Sequence, residues 1–190
     1  TNKDSAASLP LHTQSFSMMP LLNTPFRPGQ CRATVEAMAD GPRKDIAWAE
    51  YYYFSAQAEQ AVQVTEPYLS STDLALRLPA CWVYGYANLT TRQIRNARRA
   101  LETVQRTLAE GAQLSAHLRA AVSFVAAGAA VLLHLPLPGG LPSTREFLPL
   151  LPPGLRAFAL YVQAHALYLR EDFAKSAGMV EAALAMGADA

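Results

Sequence analysis

From Ile94 to Leu108 the apolar residues Ile94, Ala97, Leu101, Val104 and Leu108 recur at three- and four-residue steps, with polar residues between them. That period belongs to a helix with one packed face and one wet face. Similar patterns predict helical segments at about 30 to 39, 43 to 55, 57 to 69, 73 to 89, 91 to 109, 113 to 134, 144 to 150, 154 to 169 and 172 to 187. No stretch reads convincingly as a strand. Thr90 and Gln93 suggest a T-x-x-Q capping box ahead of the arginine-bearing helix, and Ser143 with Glu146 an S-x-x-E cap ahead of a short one. Pro79, early in its segment, predicts a kink or a frayed first turn. Pro10, Pro20, Pro25, Pro28 and Gly29 make residues 1–29 an irregular opening, and further prolines with Gly139 and Gly140 mark 135–153 as a Pro-rich insertion.

Helix pairs that stack need a small residue wherever two helices cross closely. Ala49 and Ala61, Gly85 and Ala97, and Ala164 and Ser176 are each twelve residues apart across a predicted turn. Ala49 to Gly85 is 36 residues, and Gly85 to Ala164 is 79, near two steps with the insertion between. These spacings resemble the roughly 34-residue period of tetratricopeptide repeats. Trp48, Ala49 and Tyr52 follow that pattern of large, small and aromatic residues, and Tyr84 with Gly85 repeats its first half. Asn88 and Leu167 depart from it, as does Gln163, and Ala56, Arg92 or Glu171 stands where a turn glycine is usual. The expected fold is therefore all-α: stacked antiparallel helix pairs spanning 30–190, forming a short right-handed superhelix.

In that register Ile46, Glu50 and Tyr53, then Trp82, Tyr86 and Leu89, then Tyr161, His165 and Tyr168 point to the concave side. Aromatic rings with occasional polar groups suit a peptide or small ligand. The same rings would also fill the concavity of a tightly wound array as core. The three consecutive tyrosines separate by direction, Tyr52 packing beside Ala49, Tyr53 facing inward and Tyr51 lying on the flank.

Charge and composition narrow the chemistry. With 16 Lys+Arg against 15 Asp+Glu, the net charge of +1 argues against a nucleic-acid-binding surface. Arg92, Arg95, Arg99 and Arg106, with Glu102 among them, read as a solvated outer face. Cys31 and Cys81 lack metal-ligand spacing and read as buried thiols in a reducing, cytoplasmic compartment. His12, His117, His134 and His165 are scattered, so no metal and no cofactor is expected. Nucleophile elbows, P-loops and dinucleotide fingerprints are absent from the sequence, and no enzyme is expected. The Ala-rich run from Ala120 to Leu133 is too short to cross a bilayer. A chain that starts at Thr1 and stops at Ala190 just after a helical pattern is expected to be a piece of a longer protein.

The runs PLLNTPFRPGQ (Pro20 to Gln30), AEYYYFSAQAEQAVQVTEPYLSSTDLALRLPAC (Ala49 to Cys81), ANLTTRQIRNARRALE (Ala87 to Glu102), LLHLPLPGGLP (Leu132 to Pro142) and FLPLLPPGLRAFALYVQAHALYLREDFAKSAGMVEAAL (Phe147 to Leu184) resemble one subfamily of bacterial LuxR-type transcriptional regulators. The resemblance implies a tetratricopeptide-like regulatory region for sensing, interaction or dimerisation, with DNA binding left to a C-terminal helix-turn-helix that this chain does not contain. Regulators of that type commonly act as dimers, so it also admits a homodimer. The alternative is a tetratricopeptide-like scaffold that holds a partner peptide and has no role in transcription.

Overall fold

The computed structural model describes residues 28–135, 143–151 and 153–188, which form nine α-helices and no strand. In chain order they are α1 (Pro28–Glu36), α2 (Pro42–Phe54), α3 (Ala58–Thr65), α4 (Leu74–Thr90), α5 (Ile94–Ala109), α6 (Ala116–Leu132), α7 (Thr144–Phe147), α8 (Pro153–Leu169) and α9 (Phe173–Ala188). Short 3-10 turns follow α3 and α7, at Glu66–Tyr68 and Leu148–Leu150. The all-helical expectation is met. The irregular opening at 1–29 and the centre of the Pro-rich insertion lie largely outside the described residues, and the insertion's remaining part holds α7 and its 3-10 turn.

One turn recurs through the molecule. Ala56, Arg92, His134 and Glu171 have φ of 59°, 61°, 51° and 61°, each just after a helix end. In each case that residue's N–H donates to the carbonyl three back, and the next N–H to the carbonyl five before it, as in Ala56 to Tyr53 (3.1 Å) and Gln57 to Tyr52 (2.8 Å). This is the Schellman pattern, which satisfies carbonyls that a helix end leaves orphaned. It is built here without glycine, although a left-handed backbone costs an ordinary residue about 1–2 kcal/mol. The positions step from 56 to 92, 92 to 134 and 134 to 171, by 36, 42 and 37 residues. The copy at His134 falls after α6, between two of the crossings expected from spacing.

The turns fold α2 onto α3, α4 onto α5 and α8 onto α9 as helical hairpins. Small residues are buried at the positions spacing singled out, and one pair is in contact. Ala49, Ala61 and Ala97 are wholly buried, and the Ser176 hydroxyl donates to the Ala164 carbonyl at 2.8 Å. A Cβ on Gly85 would lie 2.6 Å from Leu101 Cγ, so the buried Leu101 side chain of α5 occupies the space that a side chain at Gly85 would need. Further along, α6 packs on α4, α5 and α8, and its alanines from Ala120 to Ala130 are buried almost all round. His117 Nδ1, near the start of α6, donates to the Leu150 carbonyl at 2.8 Å and ties the 3-10 turn to it.

Two local expectations need correcting. Thr90 is the last residue of α4 and its hydroxyl donates to the Tyr86 carbonyl at 3.1 Å; α5 starts at Ile94 behind Gln93, with no side-chain cap. The Schellman turn spans Asn88 to Gln93, which assigns Thr90 to the helix before it rather than to the one after. Ser143 does precede α7, yet its side chain makes no capping bond. Side-chain caps occur instead at Asp73, accepting from the Ala75 N–H at 2.9 Å, and at Ser115, accepting from the Leu118 N–H at 3.2 Å. With Asp73 capping it, α4 has an ordered first turn and continues through the buried Pro79.

Candidate functional site

The residues expected on a concave wall divide into two groups. Glu50, Tyr53, Trp82 and Tyr86 come from α2 and α4, which pack together. Trp82 and Tyr86 are 3% and 4% exposed, and Glu50 and Ile46 are buried as well. Tyr53 is half-buried and meets Trp82 edge-on at 5.7 Å between ring centres and Tyr86 at 6.3 Å, while Trp82 and Tyr86 lie 5.7 Å apart. Phe54 and Leu89 pack against the same core. Tyr86 donates its hydroxyl to the Val125 carbonyl of α6 at 3.0 Å. Burial raises the pKa of both Tyr53 and Tyr86, since a phenolate would lose its water there, and in Tyr86 a charge on Tyr53 would add to the effect. These rings form the junction of α2, α4 and α6.

Tyr161, His165 and Tyr168 are elsewhere, along α8. Tyr161 is 50% exposed and Tyr168 59%, with His165 half-buried between them. Tyr161 lies 6.1 Å from the His165 ring, and Tyr168 meets Phe173 of α9 edge-on at 5.5 Å. A depression beside Tyr161 and His165, against Gly128 and Val131 of α6, has a volume of about 10 Å³, the size of one water. The two groups do not converge on one site.

Of the three adjacent tyrosines, Tyr51 and Tyr52 both meet the Trp48 ring, at 5.5 and 5.6 Å, and only Tyr53 turns away from it. Tyr51 packs against Cys31 and Val35 of α1, Tyr52 stacks on Trp48 at 5.6 Å, and Tyr53 turns to the aromatic junction.

A larger hollow lies on a different stripe of α4. Arg77, Cys81 and Tyr84, at steps of four and three residues, line a cleft of about 670 Å³ together with the 3-10 turn after α3 and with Asn96, Arg99, Thr103 and Arg106 of α5. Glu66 and Glu102 line it as well. The Arg77 Nε is buried and has no hydrogen-bond acceptor among the described residues. Burial pushes the Cys81 thiol up to about 11, against a smaller opposing pull from the Arg77 charge, so the thiol stays neutral at pH 7. The arginine stripe read from α5 alone is thus divided, Arg99 and Arg106 lining the cleft and Arg92 and Arg95 lying outside it. Arg77 had no place in the sequence reading. Its signal was available, because it is the only charged residue in α4, LALRLPACWVYGYANLT.

Among the described residues no three His, Cys, Asp or Glu side chains gather as a metal site would require, and no helix is long and apolar enough to cross a membrane. Compared with protein-family models, with curated proteins and with solved structures, the chain matches none of them.

Proposed function

We propose that this chain is the tetratricopeptide-like regulatory region of a LuxR-type transcriptional regulator, which senses an effector or partner and alters how a C-terminal helix-turn-helix meets DNA. The observation that carries the reading is the fourfold Schellman turn at 56, 92, 134 and 171, with small residues crossing within the hairpins it closes. Arrays of this kind change shape by small rotations between neighbouring units, so a ligand that bridges two units shifts the population of shapes. The sequence resemblance to that subfamily supplies the DNA-binding part of the reading. Footprinting of the full-length gene product on its own upstream region, with and without cell extract, tests it. Sequence-specific protection is expected, and its absence under both conditions would overturn the proposal.

A scaffold with no part in transcription is the second reading, and the exposed rings of α8 and α9 favour it. Tyr161, Tyr168 and Phe173 are exposed large apolar residues, 50%, 59% and 57% accessible, and no large apolar residue of α2, α3 or α4 is as exposed. Under that reading Tyr161→Ala with Tyr168→Ala abolishes capture of a partner while DNA protection is unaltered.

A further inference from the structure

The aromatic junction is closed and the α8 rings flank a hollow the size of one water, whereas the cleft between α4 and α5 has room for a ligand. We propose that this cleft binds a small organic oxyanion, a carboxylate or phosphate monoester, held by Arg77, Arg99 and Arg106.

Size comes first. At about 670 Å³ the cleft is in the range of small-molecule sites, roughly 300–1,000 Å³. Its wall comes from three elements, the 3-10 turn of one hairpin and the two helices of the next, so an occupant would touch two consecutive units.

Chemistry points the same way. A guanidinium offers five donors in a planar fork suited to carboxylate and phosphate, and it stays charged at any physiological pH. The ion pairs among the described residues join Arg32 to Glu36, Lys44 to Asp40 and Lys175 to Asp172. None of them uses Arg77, Arg99 or Arg106, although Glu66 and Glu102 share the cleft with these arginines. Arg77 rises from an otherwise uncharged helix, and its buried Nε lacks an acceptor within the described fold. A buried charged donor without an acceptor is costly, and an oxyanion in the cleft removes that cost. The neutral Cys81 thiol beside it brings no competing negative charge.

The carboxylates set the selectivity. Three arginines against Glu66 and Glu102 leave one net positive charge, which suits a ligand with one oxyanionic end and an amino or hydroxyl group at the other. Nucleic acids and polyphosphates are disfavoured, because both carboxylates repel a polyanion.

Binding is measured on the 190-residue chain alone, so the result does not depend on whether the parent protein binds DNA. The 15N-labelled chain is titrated with sodium phosphate and, separately, with sodium 4-hydroxybutyrate, with sodium chloride at matched ionic strength as the control. The Nε–Hε resonances of Arg77 and Arg99 report the site. Saturable shifts are expected with a Kd of about 1 mM for such minimal probes. Saturation by phosphate alone assigns a phosphate monoester, by 4-hydroxybutyrate alone a carboxylate, and by both the shared oxyanion chemistry. Arg77→Gln is expected to weaken binding about tenfold or more. Arg99→Gln, at an exposed position, carries the same expectation should Arg77→Gln fail to fold, and Arg95→Gln leaves the affinity unchanged. Shifts that chloride reproduces, or unaltered affinity in Arg99→Gln, would overturn the site.

Discussion

The α2–α4 region and the α8–α9 hairpin use the same turn and the same small-residue crossing, yet they treat their aromatic residues in opposite ways. In the first, Tyr53, Trp82 and Tyr86 close on one another and on α6. In the second, Tyr161 and Tyr168 at corresponding repeat positions stand half in solvent. The difference comes from neighbours. A ring one position after the crossing residue is buried only where another element lies across the inner face, and α6 does so for Tyr86. Position along a helix therefore sets the direction of a side chain, and what packs across that face decides whether the direction leads to core or to water.

The largest test of this contrast is truncation. Trp82→Ala should lower stability by about 3–5 kcal/mol, whereas Tyr161→Ala and Tyr168→Ala should each stay within about 0.5 kcal/mol, as read from urea unfolding. Equal losses in the two regions would remove the distinction.

Alkaline pH probes the same half next. Cys81 is raised from 9.0 to about 11 by burial, Tyr68 from 10.0 to about 12 chiefly by its hydrogen bond to Asp45, and Tyr53 and Tyr86 upward by burial. Each group holds its proton more tightly folded than unfolded. Their contribution is thus complete below about pH 9 and is lost as pH rises toward 11 and 12. The urea midpoint should fall between pH 8 and pH 11, and Cys81→Ala should make that fall shallower.

A glycine pair gives the smallest and most local comparison. In Gly85→Ala the new Cβ meets Leu101 Cγ at 2.6 Å and Cδ2 at 2.7 Å, and Leu101 is wholly buried, so a loss of about 1–3 kcal/mol is expected. Gly178 of α9 has nothing within 4 Å of such a Cβ, and Gly178→Ala should stabilise by up to about 1 kcal/mol through helix propensity. Thermal unfolding of the two variants should therefore shift in opposite directions.

Much of this fold could be read from spacing. Apolar periodicity located the helical segments, because a helix face must repeat at three or four residues whatever it packs against. Small residues twelve apart straddled the turns of the three hairpins, and at Ala164 and Ser176 the pair is in contact. The Thr90 cap misled, since T-x-x-Q has the same letters whether Thr90 ends one helix or begins the next, and the backbone bonds from Asn88 to Gln93 decide it. Three of the turns were visible only as departures, at Ala56, Arg92 and Glu171, and the one at His134 was not foreseen, because all four residues take a conformation their sequence does not favour. The site was less legible. Arg77 and Arg99 lie 22 residues apart on different helices, so no periodicity within one helix relates them, and only the docking of α4 on α5 brings them to one cleft.

The last hairpin also has a bearing on motion. Among the described residues α9 packs extensively on α8 alone, and α8 reaches the remainder mainly through α6. Few buried contacts then oppose its local opening, so α9 belongs to the low-free-energy end of the native ensemble, where segments detach and reseat without global unfolding. Amide protons in α9 should exchange with solvent well before those of α4, while the aromatic half keeps its protection.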